Sequence, residues 1–302
     1  MQSFSRGWSF LQQAWGMAFK DKDLIKPSIY ALIVGMIVSV IGMIPIIGAV
    51  FVLGTDGMIA RVILGVMGAL LVFVQFVITY MFSAMTVYLI YGYLSEGDGR
   101  VDKAWAVVKR DFFDILTLAA VSTVVNLLRS AAQRNRRGGL VAGIARAATG
   151  LLEVLWTEAA LLILPAMVID DLNLKDGLTR VVKITKENLL LVGISTVGVG
   201  LVTGLIGFGL GLIGAVIGFA VGYGLILVTG SATFGIVIGI ALGALIFFAF
   251  VMVASVISSY TGTAYHTCLY IWARETEKAR AQGSTAAVAA PAPLARVLGN
   301  AT

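Results

Sequence analysis

Residues 188–273 read NLLLVGISTVGVGLVTGLIGFGLGLIGAVIGFAVGYGLILVTGSATFGIVIGIALGALIFFAFVMVASVISSYTGTAYHTCLYIWA, and no Asp, Glu, Lys or Arg occurs among them. A helix of about 20 apolar residues crosses a bilayer, so these 86 residues are enough for two long spans or three short ones. We place a break at residues 222–233, where Gly, Thr and Ser interrupt the apolar pattern. The stretch predicts a membrane protein.

The composition of the whole chain supports this interpretation. Of its 302 residues, 59% are hydrophobic and 13% are charged, and the mean hydropathy is +0.96. Soluble domains carry about 25% charged residues. The net charge of +6 comes from Lys and Arg beside the apolar stretches, which predicts the lipid bilayer and its anionic headgroups as partners, and no nucleic acid. Cys268 is the only cysteine, which excludes an intrachain disulfide.

Outward from residues 188–273, further apolar segments predict an all-α fold, a polytopic transmembrane helix bundle of about six spans. The predicted spans lie at about residues 27–53, 62–94, 115–128, 151–169, 189–221 and 233–260, within a single transmembrane domain of residues 1–281. Residues 282–302 are predicted to form a flexible tail. Whether residues 115–128 cross stays open, because a span needs about 17–25 residues. Pro45 predicts a kink or an early end in the first span.

Amphipathic segments precede pairs of predicted spans. The first is residues 4–24, where Trp8 and Trp15 favour a helix in the membrane interface over one packed on other helices. Residues 101–109 and 174–183 resemble each other and precede the third and fifth spans. This pattern predicts a unit of one interfacial helix followed by two spans, repeated three times along the chain. The alternative is that these segments share only the general features of amphipathic helices.

The distribution of Lys and Arg predicts the orientation. With six spans and a cytoplasmic N-terminus, sixteen of the 22 basic residues lie on the cytoplasmic side and six on the other, as cytoplasmic loops prefer. This predicts a multi-pass protein of the cell membrane with both termini in the cytoplasm. Residues 129–146 carry five of the six outer basic residues, so either the third span does not cross or the outer side carries a basic patch.

Several short motifs carry a resemblance to a known family. They are Gly7-Trp8 with Lys22-Asp-Leu-Ile-Lys-Pro27, Trp156-Thr-Glu-Ala-Ala-Leu-Leu-Ile-Leu-Pro165, Asp176-Gly-Leu-Thr-Arg180 through Asn188, and Tyr265-His-Thr-Cys-Leu-Tyr270. With these motifs the chain resembles an uncharacterised bacterial and archaeal polytopic membrane-protein family, similar to YciC-type proteins and to the membrane domain of some glycerophosphodiesterases. The resemblance implies six helices with cytoplasmic termini and no particular substrate.

A few polar residues within or beside the spans are candidates for function. Glu153 and Glu158 lie inside the fourth span, where a carboxylate is costly. Arg129 or Arg146 could pair with them near the outer interface, and we predict such an arginine or a hydroxyl beside Glu158. His266, the only histidine, is read as a packing residue rather than part of a metal site or proton relay.

Glycines at four-residue spacing mark the fifth and sixth spans. Such ridges let helix backbones approach closely. The alternatives are packing between these two helices and an additional homo-oligomer seam, which the number of ridges favours. The ridges comprise Gly200 and Gly204, then Gly207, Gly211, Gly214, Gly218 and Gly222, and in the sixth span Gly235, Gly239 and Gly243.

The sequence contains no catalytic, nucleotide-binding or metal-binding motif. We therefore expect no cofactor and no enzyme activity. The leading hypothesis is a homo-oligomeric membrane scaffold or accessory subunit. The alternative is a channel or permease for a small solute or lipid, which Glu158 and the proline-containing spans favour.

Overall fold

The computed structural model describes residues 2–55, 57–134, 140–187, 189–229, 233–283 and 288–298, and all regular secondary structure in these residues is helical. The α-helices are α1 (Gln2–Lys20), α2 (Lys26–Leu53), α3 (Met58–Glu96), α4 (Val101–Arg110), α5 (Phe112–Arg134), α6 (Leu140–Asp170), α7 (Leu174–Glu187), α8 (Leu189–Val228), α9 (Thr233–Ala281) and α10 (Ala292–Leu298), with a 3-10 turn at Lys22–Leu24 between α1 and α2.

The helices follow the predicted plan. Each of the amphipathic helices α1, α4 and α7 precedes two long apolar helices. Within the described residues, six helices are long and apolar enough to cross a membrane, namely α2, α3, α5, α6, α8 and α9. The fold class is confirmed, and the chain is a multi-pass membrane protein.

The third span is longer than the sequence predicts. Its apolar helical segment, Phe112–Gln133, has 22 residues instead of the fourteen of residues 115–128. Arg129 ends the apolar run in the sequence, but the helix continues through it to Arg134. Arg129 is tolerated there because Glu153 on α6 pairs with it. The length is thus sufficient for a crossing.

The structure changes the extent of two predicted interruptions: Pro45 does not end its helix early, and the break predicted at residues 222–233 begins later, after Val228, with the next helix starting at Thr233. α2 continues past Pro45 to Leu53 and ends at Gly54, whose φ of +68° suits glycine. α8 continues past Gly222 to Val228, and α9 begins at Thr233 and runs without a break to Ala281. Residues 188–273 thus form two long helices in the described chain, with residues 188 and 230–232 lying outside the description.

The chain divides into two compact units. The second unit comprises Ala18–Leu189 and His266–Val288. In it, α2 packs on α3, α3 packs on α5 and α6, and α7 packs on α6. Its buried side chains include Leu89, Ile115 and Ile163, which are fully inaccessible to solvent.

The first unit comprises Met1–Met17, Leu190–Tyr265 and Ala289–Thr302. In it α1 packs on α9 instead of presenting its whole apolar face to a membrane. The indole N–H of Trp15 donates to Thr261 at 3.2 Å, and the hydroxyl of Tyr260 donates to the carbonyl of Ala14 at 2.9 Å. The Phe10 and Tyr265 rings meet edge to face. Trp8 remains 42% exposed, so α1 keeps an outer apolar surface as well.

The described part of the C-terminal tail contains secondary structure. The composition predicts a flexible segment over residues 282–302. The structure places the short helix α10 there, and the side chain of Leu294 is fully buried. In the second unit, the indole N–H of Trp272 donates to the carbonyl of Val288 at 3.4 Å.

One ion-pair cluster joins the ends of α4 and α6. The Nε of Arg110 lies 2.6 Å from Oδ1 of buried Asp111 and 3.1 Å from Oδ1 of Asp171. The hydrogen bond to Asp111 raises the pKa of the Arg110 guanidinium above its ordinary value. Asp171 has a φ of 56°, a left-handed conformation that ends α6 before the turn into α7.

Candidate functional site

Glu158 and His266 form a polar pair between α6 and α9 in the second unit. Oε2 of Glu158 on α6 lies 3.0 Å from Nε2 of His266 on α9. The His266 side chain is 6% exposed and that of Glu158 is 42% exposed. The partner that the structure gives Glu158 is therefore a histidine, in place of the predicted arginine or hydroxyl. A carboxylate and an imidazole at this distance can hold one proton between them, which makes the pair the strongest candidate for proton chemistry in the described chain.

A second polar cluster joins three helices through Ser122 on α5. The hydroxyl of Tyr80 on α3 lies 2.7 Å from Oγ of Ser122, and the indole N–H of Trp156 on α6 donates to the same oxygen at 2.8 Å. Ser122 in turn donates to the carbonyl of Leu118 at 2.9 Å. Since its one proton is used there, Ser122 serves as acceptor for both aromatic donors. The sequence did not predict this cluster, because residues 80, 122 and 156 are far apart in the chain and belong to no common motif.

Glu153 is placed differently from Glu158. It pairs with Arg129 of α5, one of the two arginines proposed for it. Its side chain is 21% exposed and that of Arg129 is 42% exposed. Arg146 is exposed at the start of the apolar part of α6. The arginine-rich loop around residues 135–139 lies outside the described residues.

A third cluster surrounds Asp170 at the C-terminal end of α6. Nε of Arg274 lies 2.7 Å from Oδ1 of Asp170, and the hydroxyl of Tyr270 donates to Oδ2 at 2.5 Å. The sequence analysis did not select this cluster. One signal was available: Asp170 follows the apolar run of α6, and Arg274 is the first charged residue after residues 188–273. Where two helices leave the membrane on the same side, the residues at these helix ends lie at the same depth.

Basic residues of α7 extend this cluster. Glu277 on α9 pairs with Arg180 at 2.7 Å and with Lys183 at 2.6 Å. Asn173 starts α7 by accepting from the backbone N–H of Asp176 at 3.0 Å, while its amide donates to the Asp176 carboxylate at 2.8 Å. The side chain of Asn173 thus caps the N-terminus of α7 and fixes where the helix begins.

The C-terminal end of α6, one side of α7 and the C-terminal part of α9 border an open pocket of about 540 Å³, which we name the end pocket. Its lining residues are Asp170, Leu172, Asp176, Thr179, Arg180, Lys183, Arg274 and Lys278. Two further cavities are apolar. One, of about 250 Å³, lies against α2 and α3, and the other, of about 390 Å³, lies between α8 and α9. Neither Glu158 nor His266 lines any of these three cavities.

The predicted glycine ridges fall into two groups. A Cβ added to Gly218 would clash with the carbonyl oxygen of Gly243, and one added to Gly214 would lie 2.7 Å from Cβ of Phe250. Gly222 and Gly239 meet in the same way, and Gly235 lies against Thr229. In contrast, a Cβ on Gly207 or Gly211 would meet no described atom within 4 Å. The backbone contact between α8 and α9 thus covers only one part of the stripe.

The described residues offer limited catalytic chemistry. They contain no group of three or more His, Cys, Asp and Glu side chains that could hold a metal ion. Cys268 is fully buried, so its thiol is inaccessible to a solvent-borne substrate. The polar side chains that the fold brings together are paired with one another or line the charged end pocket.

Comparison with known proteins gives a family and no function. The model of a family of unknown function, DUF6159, matches residues 62–280. This range includes the Glu158–His266 pair, the clusters around Ser122 and Asp170, and the glycines of α8 and α9 described above. A search of curated proteins found no match. The similarity to YciC-type proteins and to glycerophosphodiesterase membrane domains is not shown by these comparisons.

Proposed function

We infer that this chain, which belongs to the DUF6159 family of unknown function, is a non-enzymatic membrane scaffold or accessory subunit that acts as a homo-oligomer. We expect it in the cell membrane with both termini in the cytoplasm, where its Lys and Arg side chains meet anionic headgroups. The support comes from the face of α8 that carries the glycines.

The glycine stripe of α8 is longer than its partner helix covers. Gly200, Gly204, Gly207 and Gly211 are separated by three or four residues and so share one helix face with Gly214 and Gly218. α9 packs on the second of these groups. At each of the first four, a Cβ would meet no described atom within 4 Å. A second helix can approach closely at such a surface, and this single observation carries the oligomer proposal.

The interior contacts of the second unit favour a scaffold over a transport path. Glu158 is held by His266, Glu153 by Arg129, and Asp170 by Arg274. A channel or permease would use such groups to line a water-filled path. Because Glu158 and His266 line none of the three cavities described above, their pairing agrees better with a structural role.

The oligomeric state of the purified protein tests the proposal. In a mild detergent, light scattering with size-exclusion chromatography should give a mass of at least twice 31.9 kDa for the polypeptide. The double substitution Gly204→Leu/Gly211→Leu should shift it toward the monomer mass, because a leucine side chain keeps the helices apart.

Gly209→Leu is the matched control. Gly209 lies two residues from Gly207 and Gly211, on the opposite side of α8, and it too has no described atom within 4 Å of an added Cβ. It should leave the oligomer intact. A monomeric unsubstituted protein, or equal loss of assembly in both variants, would reject the homo-oligomer.

The alternative, a channel or permease, would use the Glu158–His266 pair. A carboxylate and an imidazole within a membrane domain can relay protons. In proteoliposomes with an internal pH-sensitive dye, this alternative predicts a proton flux that Glu158→Gln abolishes while folding is retained. Absence of flux in the unsubstituted protein would remove the proton version of the alternative.

A further inference from the structure

We propose that the end pocket binds a phosphate group that carries a net negative charge, such as the headgroup phosphate of an anionic phospholipid. The inference goes beyond the scaffold proposal, because it assigns a ligand class to a defined set of residues within one chain.

The position of the pocket corresponds to the headgroup layer. Asp170 ends α6, the helix whose apolar segment is Arg146–Asp170. Arg274 and Lys278 follow the uncharged residues 188–273 on α9. The pocket therefore lies where two apolar helices become polar, which is the level at which lipid phosphates lie. This placement assumes that α6 and α9 cross the membrane.

The charges that line the pocket favour an anion. Four lining residues are basic and two are acidic. Of the acidic residues, Asp170 is held by Arg274 and Tyr270, and Asp176 is held by Asn173 at the start of α7. Asp170 is thus ion-paired, whereas Asp176 keeps its charge beside a neutral amide, and the four basic side chains of the lining outnumber these two carboxylates.

Each basic side chain of the lining has a carboxylate partner. Arg180 and Lys183 share the carboxylate of Glu277, and Lys278 pairs with Glu275 at 2.9 Å. Glu275 and Glu277 do not line the pocket, so within the lining itself four cations face the two carboxylates of Asp170 and Asp176.

Two of the lining cations are accessible to a ligand. The side chains of Lys183 and Lys278 are 56% and 51% exposed, so each can turn toward a ligand without unpacking the core. Phosphate oxygens accept charge-assisted hydrogen bonds from both Lys and Arg.

Native mass spectrometry of the purified protein tests the proposal with defined probes. Short-chain phosphatidylglycerol supplies the lipid form, glycerol 3-phosphate and inorganic phosphate supply the soluble form, and phosphatidylcholine supplies a headgroup without net charge. We expect saturable binding of one phosphatidylglycerol per chain, tighter than phosphatidylcholine. Binding of the soluble probes alone would also support a phosphate site and would identify a soluble source.

A pair of charge-matched variants locates the binding. Lys183→Gln/Lys278→Gln removes two pocket cations and should weaken binding about thirtyfold, since each basic residue near an anionic group contributes about 1 kcal/mol and about 1.4 kcal/mol is tenfold. Lys175→Gln/Lys186→Gln removes two exposed cations of α7 that do not line the pocket, and it should leave binding unchanged. Lys278→Gln alone, which breaks only the pair with Glu275, is the variant to use if the double variant misfolds.

The outcomes are distinct from those of the oligomer experiment. All lining residues belong to one chain, so Gly204→Leu/Gly211→Leu should bind phosphatidylglycerol as well as the unsubstituted protein. No binding of any phosphate probe, equal binding of phosphatidylcholine, or equal weakening in both lysine variants would overturn the end-pocket proposal and leave the scaffold proposal as it stands.

Discussion

Gly222 and Gly239 face each other across the contact of α8 and α9: a Cβ on Gly222 would lie 2.6 Å from the carbonyl oxygen of Gly239, and one on Gly239 would lie 2.5 Å from that of Gly222. Gly222→Ala should therefore force the helices apart and destabilise the protein by roughly 1–3 kcal/mol, the cost of overpacking. A thermal melt of the detergent-solubilised protein measures this. Gly224→Ala, on the same helix with no described atom within 4 Å, is the control, and equal effects would contradict the backbone contact.

The pair of Glu158 and His266 should show coupling in a double-mutant cycle. Glu158→Gln and His266→Asn should each lower the melting temperature, because each leaves a partly buried polar group with a poorer partner, at a cost of roughly 1–3 kcal/mol. The double variant should lose less than the sum of the two. Additive effects would show that the 3.0 Å contact contributes nothing to stability.

Ser122→Ala should be more damaging than the loss of one hydroxyl suggests. It deprives both Tyr80 and Trp156 of their acceptor, so we expect a loss of roughly 2 kcal/mol or more, measured as a lower melting temperature. Thr123→Val is the comparison. Thr123 is also buried, but its hydroxyl donates to the Ala119 carbonyl of its own helix. If Thr123→Val costs as much, the three-helix cluster is not what stabilises this region.

Asp170→Asn should destabilise the C-terminal end of α6. The amide keeps an acceptor for the hydroxyl of Tyr270 but loses the charge that holds Arg274. The melting temperature of the detergent-solubilised protein reports the change. Asp171→Asn is the control, since Asp171 is 68% exposed and asparagine accepts its left-handed backbone. A larger effect of Asp171→Asn than of Asp170→Asn would refute this ranking.

The predicted topology can be tested by reporter fusions. A fusion after Arg280, at the C-terminal end of α9, should be active in the cytoplasm, because an even number of crossings returns the chain to the side of its N-terminus. Sixteen of the 22 basic residues then lie on that side. A reporter active outside the cytoplasm would mean an odd number of crossings or an inverted chain, despite the six apolar helices.

The hydrophobic pattern was sufficient to predict the fold class, because the length and composition of a membrane helix are local properties. Contacts between helices were harder to predict. Gly222 was taken for the start of a break, since glycine disfavours helices in water, yet it lies within α8 because its missing side chain admits the backbone of Gly239. Arg129 was taken for the end of a span because its partner, Glu153, is supplied by another helix.

The candidate sites show the same limit. Glu158 could be selected from the sequence because a carboxylate inside an apolar run is costly. Its partner His266 lies 108 positions later, and which faces of two helices meet depends on the packing of the whole bundle. The end pocket was missed for a related reason: its charged residues look ordinary in the sequence, and only their convergence from three helices makes a cavity.

The contact between α1 and α9 has a consequence for biosynthesis. Trp15 and its acceptor Thr261 are 246 residues apart, so the ribosome must synthesise nearly the whole chain before α1 finds its partner. Until then, Phe10 and Ala14, both fully buried in the finished protein, lack the surface that Tyr260 and Tyr265 provide. During this time the nascent N-terminal helix must lie on the bilayer surface or be bound by a chaperone. Completion of the last span is therefore the step that releases it, and a chain stalled before Tyr260 is left with its first helix undocked.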